Sequence, residues 1–509
     1  MHTFVARSLA AAKGWRPMLL GSTLLFSAVI GVGASGAASA ATPWTGTLPR
    51  ANCDPGDRVE TGLQGQTTIA ERQSGASKTA YTCNLQLVGQ FTGEGTNYQM
   101  TWFDKCAYYG TRNNAAQAHR GVATIDASDI NNPVASAYLN DAAMADPWES
   151  LKVNERRQLL GAVQGNGGNG SQPGFGIYDL SVDCRQPQLL AALNLEPPTM
   201  TGRVQGHAGD FAPDGLTYYG TDRGRNVIYP IDVSDPRNPK LLAKWKAPDT
   251  IGYPHDVMVN EDGTRLYIAQ PRVAPAGNGL VIVDVSDVQK RLPNPQFKVV
   301  GRLYWTNSAE AQMARPIRIK GRPYILMTDE IGPGGFSGTR VTTACAQGLP
   351  AYGLARIIDI LDETNPTLVA ELKLEVHNPA NCSQFQTDHS SQSAFIYDSH
   401  YCTVDDPKNA KMAACAWFQS GVRVIDIRDP YHPKELAYYK PAAVGTASRP
   451  GSTLNGQNRT WDLSSSNIRW VKQNGDIFLW FTSHDNGFQI VKFTDHLKQI
   501  DPTLFTAGK

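Results

Sequence analysis

Histidine is scarce in this chain, with 10 among 509 residues, yet two of the ten stand in matching surroundings. His207 opens "HAGDFAPDGLTYYGTD" and His255 opens "HDVMVNEDGTRLYIAQ". Each is followed by a short half-buried alternation, an Asp-Gly turn and a second apolar run, which together read as a hairpin. Neutral imidazole is a ligand for Cu, Zn or Fe, and a carboxylate commonly completes the shell. Paired imidazoles on neighbouring units therefore point to a transition metal that activates water or polarises a carbonyl. The third ligand is sought in His389 or His484, and Glu330 and His484 are the acid–base candidates.

A second reading needs no metal. Arg112, Arg223 and Arg315, with Asn467, would bind an anionic small molecule through the planar guanidinium fork, with Glu330 or a histidine as acid or base. A third reading is a noncatalytic interaction module, whose protein partner would dock on the long loops "NAAQAHR", "NGGNGSQPGF" and "IGPGGFSGTRVTTACAQGLPAY".

Each reading needs an element that brings residues far apart in sequence to one place. A near-copy of one phrase supplies it: "GVATIDASD", "GIYDLSVD", "VIYPIDVSD", "GLVIVDVSD", "GLARIIDILD", "GVRVIDIRD" and a degenerate "GFQIVKFTD". The aligned positions are Asp126, Asp179, Asp232, Asp284, Asp359, Asp426 and Lys492. Such spacing fits a unit of about 50 residues with insertions in the later copies, the period of a propeller blade. In the fourth unit "HDVMV", "RLYIAQ", "GLVIVDVSD" and "FKVVGRLYW" supply four antiparallel strands. The fold expected is all-β, a seven-bladed propeller over 84–496. The segment "NLQLVGQFTG" from Asn84 is expected to complete the C-terminal blade, which has only three strands of its own.

The position four residues before the end of each innermost strand should face the central channel. It holds His207, His255, Arg315 and Asn467 in blades three, four, five and seven, Glu149 in blade two and Gln99 in blade one. In blade six the register is open among Asp388, His389 and Ser391. The ends of the second strands offer Arg112, Asp222 with Arg223, Gln270 with Arg272, Asp329 with Glu330, and His484 with Asp485 at the same face.

The runs "LVIVD", "GVRVIDIRDP" and "YPIDVSDPRNP" resemble those of LVIVD-repeat propeller proteins, a resemblance that implies a secreted bacterial protein and carries no catalytic residues. The recurring Asp residues are expected to make turns rather than chemistry. The layout pairs Cys53 with Cys83, Cys106 with Cys184, Cys345 with Cys382 and Cys402 with Cys415.

Residues 1–40 carry Arg7, Lys13 and Arg16, an apolar run and "ASA" before Ala41, the pattern of a cleaved secretory signal. An exported protein, periplasmic or extracellular, is expected, with no membrane span once the signal is removed. An N-terminal extension is assigned to 41–83 and a C-terminal tail to 497–509. Removing three positive charges turns the net +1 into 1 − 3 = −2, which gives no basic face for nucleic acid. Eight Cys suit disulfides in an exported chain. "GNGGNG" at 165–170 is followed by no Lys-Ser/Thr helix and is not a phosphate loop.

Overall fold

The computed structural model describes residues 42–505, apart from 113, 166–173, 196–205, 223–224, 249–252, 274–276, 389–394, 446–448 and 454–458. Among the described residues the strands form seven antiparallel sheets. Blade one is Met100–Phe103, Cys106–Gly110, Val122–Asp126 and Val134–Leu139. Blades two to six begin with Lys152–Asn154, Gly209–Phe211, Asp256–Val259, Glu310–Ile319 and Cys402–Val404. Blade seven has Arg469–Gln473, Asp476–Ser483 and Gly487–Phe493, and Leu85–Phe91 pairs with the last of these as its outer strand.

The packing runs in a ring. Among the described residues seven apolar clusters each join two successive blades: one and two around Tyr108 and Leu160, five and six around Met313 and Trp417, and seven and one around Trp480 and Tyr109. The third strands lie between two neighbours, so they are buried on both faces until the final residue, as in Val122–Asp126 and Phe175–Asp179. That double burial is why the repeated phrase is nearly all apolar. Its terminal Asp then caps a turn: Asp126 accepts from Ser128 N at 2.9 Å, Asp232 from Ser234 N at 2.9 Å and Asp284 from Ser286 N at 2.8 Å.

Fourth strands shift register against third strands at matching places, as between Thr124 and Ile125, Ile282 and Val283, and Val424 and Ile425. Close approach explains two glycines there. A Cβ on Gly301 would stand 1.9 Å from Glu363 O, in the next blade's turn, and one on Gly89 would stand 1.9 Å from Ile130 O.

The chain before blade one is tied to blades five and six. Trp44 and Thr47 bridge to Ala370 and Lys373, and Tyr81–Cys83 adds a fifth strand to blade six. The disulfides are Cys53–Cys83, Cys106–Cys184, Cys345–Cys382 and Cys402–Cys415. No helix among the described residues is long and apolar enough to cross a membrane.

Candidate metal centre

Innermost strands present their first residues to the ring axis, and three imidazoles arrive there by one local device. His207 N donates to Thr221 O, His255 N to Ala269 O and His400 N to Ala416 O, so each is pinned to the second strand of its own blade, just before the inner strand begins. In "HAGDF", "HDVMV" and "HYCTV" the histidine stands four residues before the strand's end. Blade two brings Glu149 to the axis by a different contact, its N–H donating to His207 O of blade three at 3.0 Å. Blade five adds Glu330 from the end of its second strand, Arg322–Ile331.

These side chains close into a ring of contacts. His207 Nε2 lies 3.2 Å from His255 Nε2, and His255 Nε2 lies 3.0 Å from Glu330 Oε1. His400 Nε2 is 3.6 Å from Glu330 Oε2 and 3.4 Å from Glu149 Oε1, while Glu149 Oε2 returns to His207 Nε2 at 3.2 Å. Ligands bonded to one tetrahedral zinc at about 2.0–2.1 Å stand about 3.3 Å from one another. The observed separations of neighbours match that edge. All five residues are buried, with at most 4% exposed.

Burial resists ionisation of Glu149, but His207 and His400 outweigh it and hold its carboxyl well below the usual range. Burial likewise opposes the Glu330 charge, yet hydrogen bonds from His255 and His400 bring that carboxyl down to about 2. For His400 burial disfavours the imidazolium, and the two carboxylates reverse this and lift it to about 9. Gln312 Nε2 donates to Glu149 Oε2 at 2.9 Å, and Tyr401 OH to Asp256 Oδ2 at 3.1 Å. Asp256, buried beside Glu149 and Asp210, is pushed up to about 6 by burial first, against the pull of Lys152. Aromatic rings pack on the histidines: Trp148 on His207 at 5.8 Å, and Phe418 and Tyr98 on His400 at 4.9 and 5.7 Å between centroids.

The structure brings His207, His255 and Glu330 together. His484 lies beside this group without joining it: its Nε2 meets Ser465 Oγ at 2.9 Å and its ring meets Tyr98 edge-on at 5.4 Å. Burial, Arg459 and His400 together hold the His484 imidazole neutral. Arg315 lies further along the blade-five inner strand, donating to Cys402 O at 2.8 Å and Asn467 Oδ1 at 2.9 Å. Asn467 passes the chain on to Gln99 Oε1 at 2.9 Å. Arg112 is exposed and donates to Thr453 O at 2.8 Å. His389 and Arg223 lie outside the described residues.

The inner strand of blade six is Cys402–Val404, so the register open among Asp388, His389 and Ser391 falls too early. Asp388 instead meets Gln66 and Tyr397. The axial residue just ahead of that strand is His400. Glu310, buried in blade five with Tyr253 OH at 2.5 Å, was also not anticipated as a site residue.

Residues 252–289 match the profile of the LVIVD repeat. The chain carries an LVIVD repeat. That repeat spans His255, the hairpin behind it and the third strand of blade four. No curated protein matches the sequence. Among solved structures the chain is similar to hydrazine synthase of Kuenenia stuttgartiensis at 13% identity, covering 79% of this chain and 97% of that one with a TM-score of 0.48. It is similar to a protein from Lactobacillus plantarum at 11% identity, covering 76% and 99%, with a TM-score of 0.45. It is also similar to the Cps50 (Swd1) β-propeller domain of Myceliophteria thermophila at 10% identity, covering 81% and 100%, with a TM-score of 0.47.

Proposed function

We propose that this is an exported β-propeller that holds a transition metal, Fe, Zn or Cu, on its axis and uses it on a small polar molecule. The observation that carries the reading is the closed contact ring of His207, His255, Glu330, His400 and Glu149. Burying ionised carboxylates costs several kcal/mol each unless they are well paired, and the imidazoles that pair Glu149 and Glu330 here are themselves metal ligands by type. A metal repays that cost and lowers the pKa of a bound water or polarises a substrate oxygen. The chain's own residues hold the ligands in place: Gln312 orients Glu149, and the inner-strand hydrogen bonds fix the imidazoles. A site this buried, with Tyr98, Trp148 and Phe418 against it, suits a small molecule rather than a polymer. Export rests on the signal-type segment and four disulfides.

Elemental analysis of protein purified without chelator tests the reading. Fe, Zn or Cu at one or more per chain, lost on His207→Ala with His255→Ala while the circular dichroism is kept, is the expected result. Wild-type protein that neither carries nor takes up these metals would remove the proposal.

A further inference from the structure

The donors do not all gather around one point. The atoms that could each give one bond form three overlapping groups, Glu149–His207–His255, Glu149–Glu330–His400 and His255–Glu310–Glu330, with every member of a group within 4.8 Å of the others. His400 shares a group with the two carboxylates but with neither of the other histidines. One ion bonded at about 2.1 Å keeps all its ligands within about 4.2 Å of one another. A single ion therefore takes His207 and His255 or takes His400, and leaves the other side of the ring unused.

The carboxylates span the gap. Glu149 turns Oε2 to His207 at 3.2 Å and Oε1 to His400 at 3.4 Å. Glu330 does the same, with Oε1 on His255 at 3.0 Å and Oε2 on His400 at 3.6 Å. A carboxylate that offers different oxygens to two sets of ligands is arranged as a bridge, and bridged ions stand about 3.5–4 Å apart.

We infer that the axis holds two metal ions, one bound by His207, His255 and Glu149, the other by His400, Glu149 and Glu330, with Glu149 bridging. The inference rests on the metal-binding reading above and adds its stoichiometry. The two positions differ in chemistry. The first has two imidazoles and suits Zn, Cu or Fe, and the second, with one imidazole and two carboxylates, suits a harder ion such as Mn or Fe(II). Loading should thus proceed in two steps of unequal affinity.

The test uses the metal-free full chain titrated anaerobically with Fe(II), an ion that suits both positions, with bound metal counted after gel filtration and spin coupling read by Mössbauer spectroscopy in an applied field. Two ions per chain with an exchange-coupled spectrum are expected, falling to one uncoupled ion in His400→Ala. Glu330→Gln, a near-isosteric change less liable to unfold the ring, should weaken the second step at least tenfold and leave the first unchanged. Wild type that saturates at one uncoupled Fe(II), or His400→Ala that still takes two, would overturn the two-ion arrangement and leave a single-metal site standing. Failure to bind Fe(II), Zn(II) or Cu(II) at all would overturn both.

Discussion

His400 is the residue on which the chemistry of the site turns, because its Nε2 faces Glu149 at 3.4 Å and Glu330 at 3.6 Å. In metal-free protein their grip, set against burial, lifts it from an ordinary 6.5 to about 9. A raised histidine stabilises the fold fully below about 6.5, and that contribution is lost as pH rises through about 9. Glu330, drawn down to about 2 by His255 and His400 against burial, contributes fully above about 4.5 and loses its share as pH falls. Metal-free protein should therefore melt highest between roughly pH 5 and 6.5 and lower at pH 9. Because metal binding needs neutral imidazole, it expels the His400 proton, and affinity should climb toward pH 9. Thermal melts at pH 6 and 9 with and without Zn(II) check both signs. An unchanged metal-free midpoint at pH 9 would refute the coupling. In sequence, His207 and His255 were legible because their hairpins repeat. His400 obeys the same four-residue rule, and the Cys402 and Cys415 that bracket its hairpin mark the inner strand. The long insertion before it draws the eye to His389 instead. Glu149 was readable as an axial position, but nothing in its own sequence separates a ligand from a solvated channel residue.

Elements carry the ring by repetition, and their limits are steric. The LVIVD strand announced itself because burial on both faces demands an apolar run, and its Asp marks the turn that follows. The glycines that admit a neighbouring turn are silent in sequence, since the constraint comes from the next blade. Gly301→Ala would push a methyl into Glu363 O, and should cost about 1–3 kcal/mol as overpacking does. Gly338→Ala, with nothing within 4 Å, should be near neutral. Urea unfolding of the two variants measures the contrast, and equal midpoints would remove the close-approach argument. Arg315 shows the complementary error. Its place on an inner strand was right, but blade five enters the axis several residues earlier, at Glu310, so the arginine serves the blade-six backbone and Asn467.

At the scale of the whole molecule, stability comes from seven inter-blade clusters and from cross-links that join segments distant in sequence. Cys106–Cys184 ties blade one to blade two across 78 residues, whereas Cys402–Cys415 closes 13 within one hairpin. By loop-closure entropy the first is worth about 4.5 kcal/mol and the second about 3. Replacing each pair by Ser should lower the unfolding free energy in that order, and denaturant titration decides it. The seven-bladed count and the cysteine pairs could be read from sequence because both follow from the repeat's layout. The convergence of blades two to six on one cluster could not, since it depends on where each insertion lets its strand enter. The measurement that bears most directly on the account is the metal content of full-length protein isolated without chelator and then offered Fe(II), Zn(II) and Cu(II) in turn. Stoichiometric metal, absent from the His207→Ala, His255→Ala variant, is the predicted result. A wild-type protein that stays metal-free under all three would contradict it.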